Sequence, residues 1–169
     1  DSVHSFPTRR SSDRSVAVAL VGGGVLGGTT PVNTDANGLA TFAGLSVTGT
    51  VGSRTLQFTS AGLTTATSTA INITAGAATQ LVMVQQPSAS AANGAVFAQQ
   101  PTVQARDASG NNVSGVRSVA VARGGGGARG GAAPVNPAGD RLATFAGLSV
   151  TGTVGSRTLQ FSRDRKSAV

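Results

Sequence analysis

Few residues in this chain are of kinds that do chemistry. Gly22-x-Gly24-x-x-Gly27 follows the apolar run "VAVALV" and has the spacing with which a dinucleotide-binding turn brings a pyrophosphate to a helix N-terminus. The residues after it oppose that use: "TTPVNTDANG" has no helical pattern, no acidic residue lies at the distance the ribose contact needs, and the chain is poor in helix formers. The glycines read instead as a loop between two strands. Asp107, Asn111 and Asn112 carry oxygens that a Ca²⁺ ion could use, as do Asp35, Asn33 and Asn37. Such an ion takes about six to eight oxygens, several from carboxylates, whereas Asx residues beside glycine more often close turns. Turns are the expectation at both places. Asn72-Ile73-Thr74 has the form of a glycosylation acceptor and reads equally as an Asn at a strand edge.

Catalysis has little to draw on. His4 is the only histidine, Cys and Glu are absent, and the six Asp residues form no close pair. Ser and Thr are plentiful but have no base beside them in any readable pattern, and glycosidase-type acid and base roles lack their two carboxylates. No catalytic residue, metal site or cofactor site is therefore expected, and the chain is not expected to be an enzyme.

What positions these residues must be a β-rich scaffold. The 169 residues include 24 Gly, no Trp or Tyr, and six Phe. Burial then falls mainly to Val, Leu, Ile and Ala, and the composition favours short strands and turns over helices. The lack of Cys excludes a disulfide framework. No apolar run reaches the roughly eighteen residues of a membrane-spanning helix. The N-terminus lacks a signal-peptide core, so an export signal, if the protein is exported, is expected outside this chain.

The net charge of +7 raises the question of nucleic acid. Arg9, Arg10, Arg14, Arg163, Arg165 and Lys166 lie near the two ends, and the arginines between them are scattered, without the interleaved aromatics that stack on bases. No nucleic-acid partner is expected.

The strongest signal is repetition. "LATFAGLSVTGTVGSRTLQF" at 39–58 returns unchanged at 142–161, and the same shift of 103 residues carries "SVAVA" at 15–19 onto 118–122 and "PVN" at 31–33 onto 134–136. No insertion or deletion is needed, so the unit is a tandem repeat of about one hundred residues, the size of one small β-sandwich. Within it Val16, Val18 and Leu20 alternate on one face. Ala40 and Phe42 lead through a bend at Ala43-Gly44 to Leu45 and Val47, "GTVGS" turns, Leu56 and Phe58 share a face, and so do Ile71 and Ile73. "QLVMVQQP" and "PTVQARDASGNNV" read as further strands, with Asp107 opening a turn. Strands with no helices between them predict an all-β fold, an antiparallel sandwich.

"ATQLVMVQQPS", "VQARDASGNNV", "NGLATFAGLSV" and "AGLTTATSTAINITAG", ordered as they fall once the two partial copies are merged, resemble the bacterial immunoglobulin-like repeats of invasin- and intimin-type surface proteins. The resemblance covers roughly residues 15 to 162. It implies a seven-stranded Ig-like sandwich serving as a repeated spacer in large exported, often adhesive, proteins at the bacterial cell surface. Where Arg54 and Arg157 stand, such repeats often carry an aromatic.

The chain is out of phase with this repeat. Residues 15–76 hold the later strands of one Ig-like unit, and residues 77–162 hold the early and middle strands of the next, without a counterpart of "AGLTTATSTAINIT". Neither sandwich is complete, so each should leave apolar strand edges unpaired. The spare strand at 65–73 could complete the second unit only through "TAGAATQ", which spans at most about 25 Å; two incomplete sandwiches in tandem are the preferred expectation. Residues 1–14 and 163–169 share neither composition nor pattern with the repeat and resemble translated sequencing-adapter sequence at the edges of a metagenomic fragment. The copies also diverge densely at one place: Leu20 becomes Arg123, Val21 Gly124, Leu26 Arg129 and Asp35 Ala138. That density beside twenty identical residues fits recent duplication with sequence error. Arg123 falls on the face of Val119 and Val121, where an unpaired charge would be costly to bury.

The expected role is a non-catalytic spacer and display repeat, supported by a core of Val16, Val18, Phe42, Leu45, Leu56 and Phe58 and, in the second copy, Val119, Val121, Phe145, Leu148, Leu159 and Phe161. Its partners would be neighbouring Ig-like repeats of the same chain, with a glycan or cell-surface protein met by other parts of the full-length protein. The alternative is an Ig-like module whose loops bind carbohydrate or a host protein, although sugar sites favour aromatic faces that this chain lacks.

Overall fold

The computed structural model describes residues 14–115, 118–125, 128–131, 135 and 142–163. Most of both suspect ends, His4 and Ala138 lie outside the described residues. Among those described, the chain is all-β and antiparallel, without a helix, and it divides into two units between Thr74 and Ala75.

In the first unit β1 (Ser15–Val21) lies antiparallel to β5 (Gly52–Thr59), with β3 (Val32–Asn33) on the outer edge of β1. β6 (Ala66–Thr67) and β7 (Ile71–Ile73) pair with β5, so the strand that might have completed the second unit stays in the first. β2 (Val25–Gly27) pairs with β4 (Ser46–Thr48). The period-two pattern decides which faces turn inward. Val16, Val18 and Leu20 are sheltered while Ala17, Ala19 and Val21 are exposed.

The second unit opens with β8 (Gln80–Gln85) and β9 (Thr102–Arg106), which join β12 (Leu142–Thr144) in a three-stranded sheet ordered β12-β9-β8. β10 (Val119–Gly124) pairs with β14 (Thr158–Arg163), and β11 (Ala128–Gly130) with β13 (Ser149–Thr151). Arg163, which the sequence pattern assigns to the foreign C-terminal end, closes β14 opposite Val119. Val103 and Ala105 of β9, Ala143 of β12, and Val119 and Val121 of β10 bury into one core with Phe145 and Leu148. Leu159 and Phe161 of β14 pack against it, so strands of separate sheets share one interior, as in a β-sandwich.

The two units use the same register. Val18 opposes Phe58 as Val121 opposes Phe161, Leu26 opposes Val47 as Arg129 opposes Val150, and Val16 meets Val32 as Val119 meets Val135.

They differ where one unit holds a strand that the other lacks. The expected strand through Ala40 and Phe42 does not form in the first unit, whereas the identical Leu142–Thr144 is β12. β12 exists because β9 offers it backbone partners, Leu142 opposite Gln104 and Thr144 opposite Thr102; the described residues of the first unit include no counterpart of β9. The reverse holds at the other end of the repeat. Gly52–Arg54 is strand because β7 pairs with it, and the identical residues 155–157 lie outside any strand. An isolated extended segment gains too little from its own hydrogen bonds to stay ordered, so the partner decides.

Burial follows the same division. Phe145 and Leu148 are each 1% exposed, while Phe42 and Leu45 are only half-buried. Of the core expected in the first unit, Val18 and Leu56 alone are fully buried. Val16, Phe42, Leu45 and Phe58 remain half-buried, and no described strand of the first unit stands in the place of the sheet that β8, β9 and β12 form in the second.

Candidate functional site

The two acidic sites considered for Ca²⁺ are one turn used twice. In the first, the Asp35 N–H donates to the Leu39 carbonyl at 2.8 Å, Gly38 N–H to the Asp35 carbonyl at 2.9 Å, and Asp35 Oδ1 accepts from Asn37 N–H at 2.8 Å and Leu39 N–H at 2.9 Å. In the second, Asp107 N–H donates to the Asn111 carbonyl at 3.0 Å, Gly110 N–H to the Asp107 carbonyl at 3.1 Å, and Asp107 Oδ1 accepts from the N–H groups of Ser109 and Asn111, each at 2.9 Å. Gly38 and Gly110 sit at φ 80° and 82°, a left-handed conformation that glycine adopts without strain. The spacing Asp-Ala-x-Gly is therefore an Asx turn in both places.

Asp107 does more than close its turn. Its Oδ2 accepts from Gly76 N–H at 2.9 Å and from Asn111 Nδ2 at 3.0 Å, so four N–H donors surround one buried carboxylate. The Asn111 amide and the Gly76 N–H, joined by the Asn111 and Ser109 backbone donors, hold the Asp107 carboxyl below its ordinary pKa, against the opposing effect of burial. Asn111 presents its NH₂ to the carboxylate where a Ca²⁺ site would need oxygen. Among the described residues there is no group of three or more His, Cys, Asp or Glu that could hold a metal ion. Asn33 belongs to β3, and Asn72 is an exposed mid-strand residue opposite Ser53.

The glycine run is a strand connection. Gly22, Gly23 and Gly24, at φ 108°, 87° and 105°, carry β1 into β2, so a strand stands where a dinucleotide site would need a helix N-terminus. Gly24 is required for a close approach as well, since a Cβ there would lie 2.7 Å from the Thr48 carbonyl of β4.

Arginines hold these turns together, a use the sequence pattern did not disclose. Arg54 Nε donates to the Gly23 carbonyl at 2.8 Å, Nη1 to Ser53 O at 2.9 Å, and Nη2 to Thr50 O at 3.0 Å and Thr50 Oγ1 at 3.1 Å. It ties the glycine loop to the "GTVGS" turn. Arg157 repeats the turn half of the arrangement, on Ser156 O at 2.9 Å, Thr153 O at 2.7 Å and Thr153 Oγ1 at 2.9 Å, while its buried Nε has no acceptor. Arg123 stands at the alternate position to the buried Val119 and Val121 on β10. It is half-buried, and its guanidinium donates to Thr151 O at 3.2 Å and Gly125 O at 2.6 Å, while its Nε has no acceptor. Arg14 and Arg163 likewise donate to Ala61 O and Ala78 O. These five arginines direct guanidinium donors to backbone carbonyls of their own unit.

One concavity stands out, in the second unit. A cavity of about 440 Å³ is lined by Gly155, Ser156 and Arg157, by Phe97, Val150 and Leu159, and by the segment 87–93. Two Gln-Gln-Pro triplets secure that segment: Gln85 Nε2 donates to Gln100 O at 2.9 Å, Gln99 Nε2 to Gln86 O at 2.8 Å, and Ser88 N–H to Gln99 O at 3.0 Å. At its far end Asn93 Oδ1 accepts from Gly152 N–H at 3.0 Å. The cavity's polar side chains are hydroxyls, the Asn93 amide and one guanidinium, with no carboxylate or histidine. Such a lining offers hydrogen bonds and apolar surface rather than acid or base chemistry.

Comparison of the chain with protein-family models, with curated proteins and with solved structures finds no match.

Proposed function

We propose that the chain is a piece of a repetitive, non-catalytic spacer that extends and displays other parts of a large protein at the bacterial cell surface, in the manner of the immunoglobulin-like repeats it resembles. The observation that carries this reading is the recurrence of one strand register 103 residues apart, in which Val18 opposite Phe58 and Ala19 opposite Gln57 return as Val121 opposite Phe161 and Ala122 opposite Gln160. A repeated unit serves length more directly than it serves a single site. The residues of catalytic type support the reading too, because Asp35 and Asp107 spend their carboxylates on turns and Arg54 and Arg157 direct donors to carbonyls.

In a spacer the partners are adjoining repeats of the same chain, and any glycan or protein ligand belongs to other parts of the array. The test is a glycan array probed with this chain alongside an unrelated β-sandwich. The spacer reading expects no reproducible, saturable hit; specific retention of one glycan class would replace it with a binding module.

A further inference from the structure

We infer that Asp107 is a latch on residues 75–79, the stretch by which the chain enters the second unit, and that protonation of its carboxylate frees that stretch while the turn at 107–111 stays closed. The stretch belongs to no strand; it follows β7, precedes β8, and opens the second unit at Ala75. What fixes it is a set of bonds to one corner of that unit. Gly76 N–H donates to Asp107 Oδ2 at 2.9 Å, across 31 residues of chain. Further on, Thr79 N–H donates to the Arg106 carbonyl at 2.9 Å, Gln80 Nε2 donates to the Asp107 carbonyl at 3.1 Å, and Ala78 packs against the buried core. Gly76 is the first of these attachments along the chain, and it alone is made to a side chain that titrates.

The arrangement of donors decides which contact opens. Oδ1 accepts from the Ser109 and Asn111 N–H groups, and Oδ2 from Gly76 N–H and the Asn111 amide, so each oxygen already receives two donors. A proton added to either oxygen makes it a donor in turn, and it then meets N–H groups already aimed at it. The two on Oδ1 belong to a tight turn whose backbone is closed by its own Asp107 N–H and Gly110 N–H bonds. Gly76, on Oδ2, comes from a stretch with no strand ladder to hold it, so the proton goes to Oδ2 and Gly76 leaves. The four donors keep the Asp107 carboxyl below its ordinary pKa, so the latch is shut at neutral pH and opens only as pH falls through the folded value. Among the described residues, the charged side chains on the elements around this corner are Arg106 of β9 and Arg163 of β14, whose guanidinium donates to Ala78 O at 3.2 Å, and β8 and β12 carry none. The inference rests on these bonds and not on the spacer role.

The test follows the backbone amides of the full chain by NMR and hydrogen exchange from about pH 6 to about pH 2, beside Asp107→Asn and Gly76→Ala. In the native chain the Gly76 amide is expected to lose about tenfold or more of its protection in a one-proton step, while the Ser109 and Asn111 amides keep theirs through that step. Asp107→Asn has no charge to lose and should leave Gly76 unprotected at every pH. Gly76→Ala retains the N–H, and its added Cβ would lie 3.7 Å from Asp107 Oδ2, an ordinary contact, so it should titrate as the native chain does. Loss of protection at Gly76, Ser109 and Asn111 together would mean that the turn or the whole unit opens, and would overturn the latch. A Gly76 amide without a step, or one still protected in Asp107→Asn, would overturn it as well. If Asp107→Asn fails to fold, the native and Gly76→Ala titrations decide.

Discussion

Phe145 packs against Phe161 with ring centroids 5.2 Å apart and planes inclined at 56°, and Phe42 meets Phe58, its copy 103 residues earlier, at 5.3 Å and 57°. The tilted pair is thus a property of the repeated letters, whereas its burial is a property of what surrounds it. Phe145 is 1% exposed beneath the sheet that contains β9; Phe42 lacks that cover.

The energetic consequence should differ between copies. Phe145→Ala removes a fully enclosed ring and is expected to destabilise the second unit by about 3–5 kcal/mol. Phe42→Ala should cost the first unit on the order of 1–2 kcal/mol, since part of its area is already in water. Urea titration followed by unit-specific amide signals distinguishes the two, and equal losses would contradict the burial difference.

Asp107 makes the second unit acid-sensitive. Its folded pKa lies below the unfolded value of about 3.9, so the stability it contributes is fully present above that value and disappears as pH falls through the folded pKa. Thermal midpoints measured from pH 6 to pH 2 should fall more for the native chain than for Asp107→Asn, which has no charge to lose. Asp107→Ala should be more damaging than Asp35→Ala, because it leaves the Gly76, Ser109 and Asn111 donors without their acceptor in a buried place, while the Asp35 turn is exposed.

Neither turn should answer to calcium. Adding millimolar Ca²⁺, or a chelator, is expected to leave the melting temperature unchanged, as the Asp107 oxygens are already taken by N–H donors. A rise with Ca²⁺ would mean that the turn rearranges to bind it.

Arg54 acts through neutral carbonyls, which sets a salt signature. Arg54→Ala should cost about 1 kcal/mol, and the loss should persist in 1 M NaCl, unlike that of a surface ion pair. Arg54→Lys should recover little of it, since one ammonium cannot span Gly23, Ser53 and Thr50 as the guanidinium fork does. Denaturation at low and high salt provides the check.

Alternation made β1, β5, β7, β8 and β9 legible from residue types alone, and Asp-Ala-x-Gly declared both turns. The glycine run was legible as a connection, but the pairing of β2 with β4 depends on how closely Gly24 approaches Thr48, which no local pattern encodes. The roles of Arg54 and Arg157 were hidden for a similar reason. A lone arginine in a Thr-rich strand gives no sign of which carbonyls the chain will bring to it. Least legible was the state of the repeated twenty residues. Identical letters take different structures at Leu39–Thr41 and Leu142–Thr144, so the deciding information lies in β9, some forty residues away from β12 along the chain.

Amide hydrogen exchange resolved along both copies tests this dependence most directly. The account predicts opposite patterns within identical sequence: Ala143 and Thr144 protected while Ala40 and Thr41 exchange freely, and Gly52–Arg54 protected while residues 155–157 exchange freely, with the shared strand centres at Leu56 and Leu159 slow in both. Matching protection at every repeated position would contradict it, because the copies would then carry their structure in their own letters and not in their partners.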